Sequence, residues 1–114
     1  MNSREIADLS AKILDKKKGL DIVIMDIGEK SSFADYFVIA SGSSERQVRA
    51  LCDEIVENFE KEGIYAKSLE GKPPSGWVLM DYGDVIINIF TAETRERYNI
   101  EKIWGDCEII SVGV

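Results

Sequence analysis

The chain of 114 residues contains no histidine. It therefore lacks the commonest general acid and base near neutral pH and the imidazole that metals most often use. Any catalytic proposal has to rest on carboxylates, Ser, Lys or Tyr. Cysteine is scarce as well: Cys52 and Cys107 are the only two, and they are not in a CxxC pair. That spacing excludes the usual thiol metal and redox sites and leaves two buried or inert thiols as the expectation. No uncharged apolar run approaches the roughly 18 residues that span a bilayer. The first residues read as a charged helix without the apolar stretch of a secretory signal, so a cytoplasmic protein is expected. Positive charge is outnumbered, with 14 Lys and Arg against 21 Asp and Glu and a net charge of −7. Phosphate contacts need clustered basic residues, which argues against nucleic acid as the main ligand. An acidic surface suits a basic protein partner through electrostatic steering, while ordinary solubility accounts for the same charge.

What is present fits one globular domain over residues 1–114. Hydrophobic residues make up 45% and charged residues 31%, enough to bury roughly 60–70% of the unfolded surface around one core. No internal repeat, low-complexity stretch or interdomain linker interrupts it. The central stretch is WVLMDYGDVIINIF, Trp77 to Phe90. Two apolar runs flank Asp81-Tyr82-Gly83-Asp84, the pattern of a tight hairpin in which Gly83 supplies the positive φ.

Elsewhere the apolar spacing predicts a helix over Ser3 to Lys18, with Ile6, Leu9, Ile13 and Leu14 as its stripe and Gly19 as its stop. Lys16, Lys17 and Lys18 then complement the helix dipole. Asp21 to Ile27 reads as a strand covered on both faces, and Tyr36 to Ala40 as a second strand. Val48, Leu51, Cys52, Ile55, Val56 and Phe59 form the clearest helical stripe. Ser44 and Gln47 form a candidate capping box before it, and Gly63 a stop after it. Ile64 to Leu69 reads as the next strand, so strand, helix and strand predict a right-handed parallel crossover. Glu70 to Gly76, with Pro73 and Pro74 side by side, is a loop because paired prolines cannot continue a ladder. After the hairpin, Thr91 starts one short helix, and Ile100, Ile103 and Trp104 anchor a terminal segment. The tail from Ile110 to Val114 is expected to be frayed or weakly paired. The fold class is α/β or α+β: a mixed sheet of about five strands packed with two main amphipathic helices.

Three groups of residues invite a chemical role. Ser41-Gly42-Ser43-Ser44 lies between a strand and a helix, where backbone N–H groups can cradle phosphate. It resembles the Gly-Ser element of nucleotidyltransferases, which also need carboxylates converging on Mg²⁺. Asp53 and Glu54 fall at a comparable interval but inside a helix, about 100° apart around its axis, so they cannot form that pair; helix capping explains the serines better. Asp81 and Asp84 suit acid–base work or a cation, yet Asp at hairpin ends normally binds local backbone N–H groups. Trp77 and Tyr82 beside that acidic turn fit either a core or a protein interface. Tyr98 and Trp104 follow helical spacing with Ile100 and Ile103 and read as core.

Three separated motifs occur in order: ADYFVIASGSSERQVRAL from Ala34 to Leu51, Glu70-Gly71 with GWVLMDYGDVIINIF from Gly76 to Phe90, and RERYNIEKIW from Arg95 to Trp104. Together they resemble the ribosomal silencing factor family, also called the Iojap family, over roughly Ile6 to Trp104. The resemblance implies a nucleotidyltransferase-like fold without catalytic carboxylates, no cofactor and no enzymatic activity. It implies binding to the large ribosomal subunit through its ribosomal protein fourteen, a steric block on subunit joining, and repression of translation under nutrient limitation. A homodimer in the free state is implied as well. On this sequence it points to Trp77, Leu79, Asp81, Tyr82, Gly83, Glu70 and Gly71 as the partner-binding residues. Asn88 stands where the family often carries His; it can hydrogen-bond like a neutral imidazole but cannot charge near pH 6. A nucleotidyltransferase-like enzyme and a simple homodimerisation module are the alternatives.

Overall fold

The computed structural model of the protein describes residues 1–110. Helix α1 (Ser3–Lys16) opens with a complete capping box: the Glu5 N–H donates to Asn2 Oδ1 at 2.8 Å, and the Asn2 N–H donates to Glu5 Oε1 at 3.1 Å. These bonds satisfy backbone donors that a helix start leaves orphaned. The helix ends two residues before the expected Lys18. Lys18 itself takes the left-handed conformation at φ 63°, and the Gly19 N–H donates to Leu14 O at 2.7 Å. The stop therefore occupies two residues rather than the glycine alone.

Strands β1 (Leu20–Asp26) and β2 (Tyr36–Gly42) follow, then α2 (Glu45–Lys61), β3 (Ser68–Glu70) and a single 3-10 turn at Pro73–Ser75. The hairpin is β4 (Trp77–Asp81) and β5 (Val85–Thr91); α3 (Ala92–Tyr98), α4 (Ile100–Ile103) and β6 (Glu108–Ile110) complete the chain. The Ser44 hydroxyl caps α2 by accepting the Gln47 N–H at 3.1 Å. The reciprocal bond goes to a neighbour: the Gln47 side chain accepts from the Ser43 N–H, not from Ser44, and its amide donates to Lys18 O at 2.9 Å, tying α2 to the end of α1.

The sheet has six strands in the order β3-β4-β5-β2-β1-β6, against the five or so expected. Its one parallel pair among the described residues is β2 with β5; the other neighbours are antiparallel. The expected crossover differs in its landing point. Leaving β2 through α2, the chain passes over β5 and β4 and reaches the sheet edge at β3, so β3 runs in the direction of β2 without pairing with it. Of the expected Ile64–Leu69 strand only Ser68 and Leu69 join the ladder with β4, and Glu70, expected in the loop, extends it. Of the tail expected to be frayed, Ile110 pairs with Ile24; residues 111–114 lie outside the described residues.

Alternation along the strands divides the core into two layers. On one face Val38, Ala40, Met80, Val85, Ile87 and Ile89 meet Val48, Leu51, Ile55 and Phe59 of α2 and Ala7, Ala11 and Leu14 of α1. On the other, Met25, Phe37, Ile39, Ile86 and Phe90 meet Trp77, Leu79, Ile100 and Trp104. Ile103, expected as an anchor, is instead exposed. Phe59 is wholly buried and meets the Tyr82 ring edge-on at 4.7 Å. Phe59→Ala is expected to cost about 3–5 kcal/mol in urea unfolding, whereas Leu69→Ala, at a half-exposed edge position, should stay within about 0.5 kcal/mol.

Candidate partner-binding site

The hairpin turn is held by its own residues. Gly83 has φ 86°, the Asp81 carboxylate accepts the Gly83 N–H at 2.8 Å, and the Tyr82 N–H donates to Val85 O at 3.0 Å. The left-handed φ is open to glycine at no steric cost. The Asp84 carbonyl then accepts from the N–H groups of Asp35 and Tyr36 at 2.8 and 3.1 Å, anchoring the turn to the start of β2. Asp81 is thus engaged as a turn residue.

At the other end of β4, Trp77 lies opposite Phe90 in the ladder and stacks on it, with ring centres 5.1 Å apart and planes 24° from parallel. Tyr98, at the last position of α3, covers it at 4.9 Å. The indole Nε1–H donates to Asn88 Oδ1 at 3.0 Å. Trp77 is therefore partly buried, one edge in the second core layer and the rest forming a wall. Glu70 pairs with Leu79 across β3 and β4. The chain then passes so close to Trp77 that a Cβ on Gly71 would sit 2.2 Å from the Trp77 carbonyl oxygen; at φ 82° only glycine fits there. The Ser75 hydroxyl, donating to Lys72 O at 2.7 Å and lying 3.0 Å from Trp77 O, closes the loop.

These contacts enclose an open recess of about 280 Å³ lined by Glu70, Gly71, Ser75, Trp77, Leu79 and Tyr98. Four of the seven residues singled out from the sequence meet there: Glu70, Gly71, Trp77 and Leu79. Asp81 projects on the same sheet face but farther along, and Gly83 lies in the turn. Tyr82 points the other way, into the layer beneath α2. Burial, with Glu60 and Cys52 nearby, pushes its phenol up to about 12. Burial, with Asp53 beside it, does the same to the Cys52 thiol.

Sequence reasoning missed Ser75 and Tyr98. Tyr98 was expected in the core, yet it is half-exposed and walls the recess. Its position follows from Thr91, whose hydroxyl caps α3 directly after β5, and from Asn99, whose left-handed conformation ends that helix. The serine-rich element serves capping and support: Ser44 caps α2, and Ser41 Oγ accepts from Arg95 Nη1 at 3.0 Å. Asp53 and Glu54 lie inside α2, and Glu54 reaches Lys17 at 3.8 Å. Among the described residues no group of three or more His, Cys, Asp and Glu side chains is arranged to hold a metal ion, and no helix is long and apolar enough to cross a membrane.

Comparison with known proteins decides the family. The family model described as ribosomal silencing factor during starvation matches residues 1–113. The chain belongs to this family. It is 39% identical over 109 residues to the ribosomal silencing factor of Bacillus subtilis, covering 96% of this chain and 92% of the relative. It is 32% identical over 101 residues to the mouse protein named mitochondrial assembly of ribosomal large subunit protein 1, covering 85% of this chain and 44% of that one. A crystal structure of a Chromobacterium violaceum protein superposes with a TM-score of 0.89 at 32% identity, covering all of this chain and 94% of that one. The family is one of ribosome-associated translation regulators.

The two raised pKa values set an alkaline limit. Unfolded, the thiol and phenol ionise at their ordinary values of 9.0 and 10.0, while in the fold they hold their protons up to about 12. Their contribution is full below pH 9 and is lost as pH climbs through the folded values. Urea midpoints should hold level to about pH 9 and fall above it. Cys52→Ala should remove the part of that decline beginning near pH 9, and Tyr82→Phe the part beginning near pH 10.

Proposed function

We propose that this protein binds the large ribosomal subunit through its ribosomal protein fourteen, occupies the face that the small subunit would meet, and so represses translation when nutrients are short. The recess carries the proposal. It offers a partly buried Trp77 and a half-exposed Tyr98, residue types that anchor protein interfaces, beside Leu79, all held on a strand and a helix end. Exposed Glu70 sits on its rim, and the net charge of −7 favours a basic protein partner over RNA. The mouse relative is named for assembly of the large subunit, which favours that subunit over the small one.

The role is a steric one and needs no catalysis or cofactor. A homodimer in the free state and a cytoplasmic location belong to the same proposal. Nucleotide transfer, the alternative, would need converging carboxylates, and Asp53 and Glu54 are consecutive on one helix. A bare dimerisation module would leave the recess without a purpose.

Sedimentation with separated subunits tests the proposal. The protein should co-migrate with the large subunit and lower the yield of joined ribosomes when the small subunit is added. Trp77→Ala should weaken that association roughly 30-fold, as loss of an interface anchor does, and Glu70→Lys should weaken it further at low salt than at high salt. Protein left at the top of the gradient, with joining unaffected, would overturn the assignment.

A further inference from the structure

Strand β5 carries one polar side chain within its buried run. Asn88 is 1% exposed, with Leu79 and Ile39 as its ladder neighbours on the two adjoining strands. Its immediate neighbours along the strand, Ile87 and Ile89, are wholly buried. The carboxamide orientation follows from chemistry, because an indole N–H only donates and must face the oxygen. That leaves Nδ2 turned away from Trp77. Among the described residues it is the buried side-chain nitrogen or oxygen without a hydrogen-bond partner. The other buried polar side chains are engaged: the Ser10 hydroxyl donates to Ala7 O, Ser41 accepts from Arg95, and Thr94 reaches Gly76 O.

A buried amide with unpaired donors is a standing cost that an apolar residue of similar shape would not carry. What it secures is orientation. Stacking on Phe90, with the Tyr98 ring tilted 42° against it, fixes the plane of the Trp77 ring but tolerates a half-turn about its Cβ–Cγ bond, since each face of the indole stacks equally well. The bond to Asn88 Oδ1 selects one of these two orientations and thereby sets which indole edge is left for the recess. We infer that Asn88 is a positioning residue for partner binding, acting through the Trp77 indole at a cost in stability. This rests on the recess being the partner-binding site, and it adds the residue that sets the recess's shape.

Four proteins separate the possibilities: wild type, Trp77→Leu, Asn88→Leu and Asn88→His. Each is measured for urea stability and for affinity to the isolated large subunit at pH 8. Hydrogen exchange of the Trp77 indole N–H is followed by NMR wherever the indole remains, with Trp104→Phe removing the second indole signal. Asn88→Leu relieves the unpaired Nδ2 but orphans the indole N–H, so it should leave the unfolding midpoint nearly level while speeding indole exchange and weakening subunit binding about 10-fold, the worth of one lost orienting hydrogen bond. Asn88→His, neutral at pH 8, offers a ring nitrogen to the indole and should return affinity to within about 3-fold of wild type. A loss of affinity at nearly unchanged stability, restored by histidine, cannot come from a merely structural role. Wild-type affinity in Asn88→Leu, or a joint loss of stability and affinity that histidine does not rescue, overturns the inference. If Trp77→Leu weakens binding and Asn88→Leu does not, the inference falls and the recess stands; if Trp77→Leu binds like wild type, both fall. Should Asn88→Leu fail to fold, Asn88→Ala takes its place: faster indole exchange with weaker subunit binding supports the inference, and wild-type affinity overturns it.

Discussion

The structure depends on the need to cover strand β5 on both faces. It has seven residues, of which six are buried, and it pairs in parallel with β2 on one side and antiparallel with β4 on the other. A strand of that composition is stable only between two layers. One layer is ample, since α1 and α2 supply long apolar stripes. The other is built from short pieces: two helices of seven and four residues, Trp77 and Leu79 from β4, and the segment around Trp104. The recess lies where that second layer gives out.

The position of the site thus follows from the economy of the core. Trp77 serves both sides of the boundary, stacking on buried Phe90 while presenting ring surface beside Glu70 and Leu79. Residues of the recess come from β3, β4, the Pro73–Ser75 turn and the end of α3, and each is fixed by backbone hydrogen bonds or ring contacts. A pre-formed surface of this kind spends little ordering entropy on binding. In the acidic turn, which resembles a chemical site in sequence, the Asp81 carboxylate is occupied with holding the hairpin together and Asp84 contributes its backbone carbonyl.

Much of this was legible in the sequence because the signals were local. The hairpin, its Gly83 turn, the stripe of α2 and its Ser44 cap all depend on residues a few positions apart. Errors arose where a distant contact decided. Gln47 would complete a box with Ser44 by sequence rule, but Ser43 and Lys18 lie within its reach. The strand expected from Ile64 is confined to Ser68–Glu70, since contact with β4 begins only at Lys67, whose N–H donates to Asp81 O at 2.7 Å. Tyr82 continues the alternation of Val78 and Met80 into the layer beneath α2, so its face is legible from period two, whereas its contact with Phe59 is made by a distant helix. Tyr98 and Ile103 read as core if one helix runs through them, yet Asn99, in the left-handed conformation, ends α3 between them and both are exposed. The family resemblance points to one hairpin, and the fold separates its residues between the two faces of the sheet.

The central claim is that one face of this sheet, at the recess, is what the large ribosomal subunit covers. Hydroxyl-radical footprinting of the protein alone and bound to isolated large subunits tests it directly. The account predicts loss of side-chain oxidation at Trp77, Leu79 and Tyr98 in the complex, with exposed Tyr65 on the α2 side oxidised as in the free protein. Unchanged oxidation of the recess together with protection at Tyr65 would contradict it.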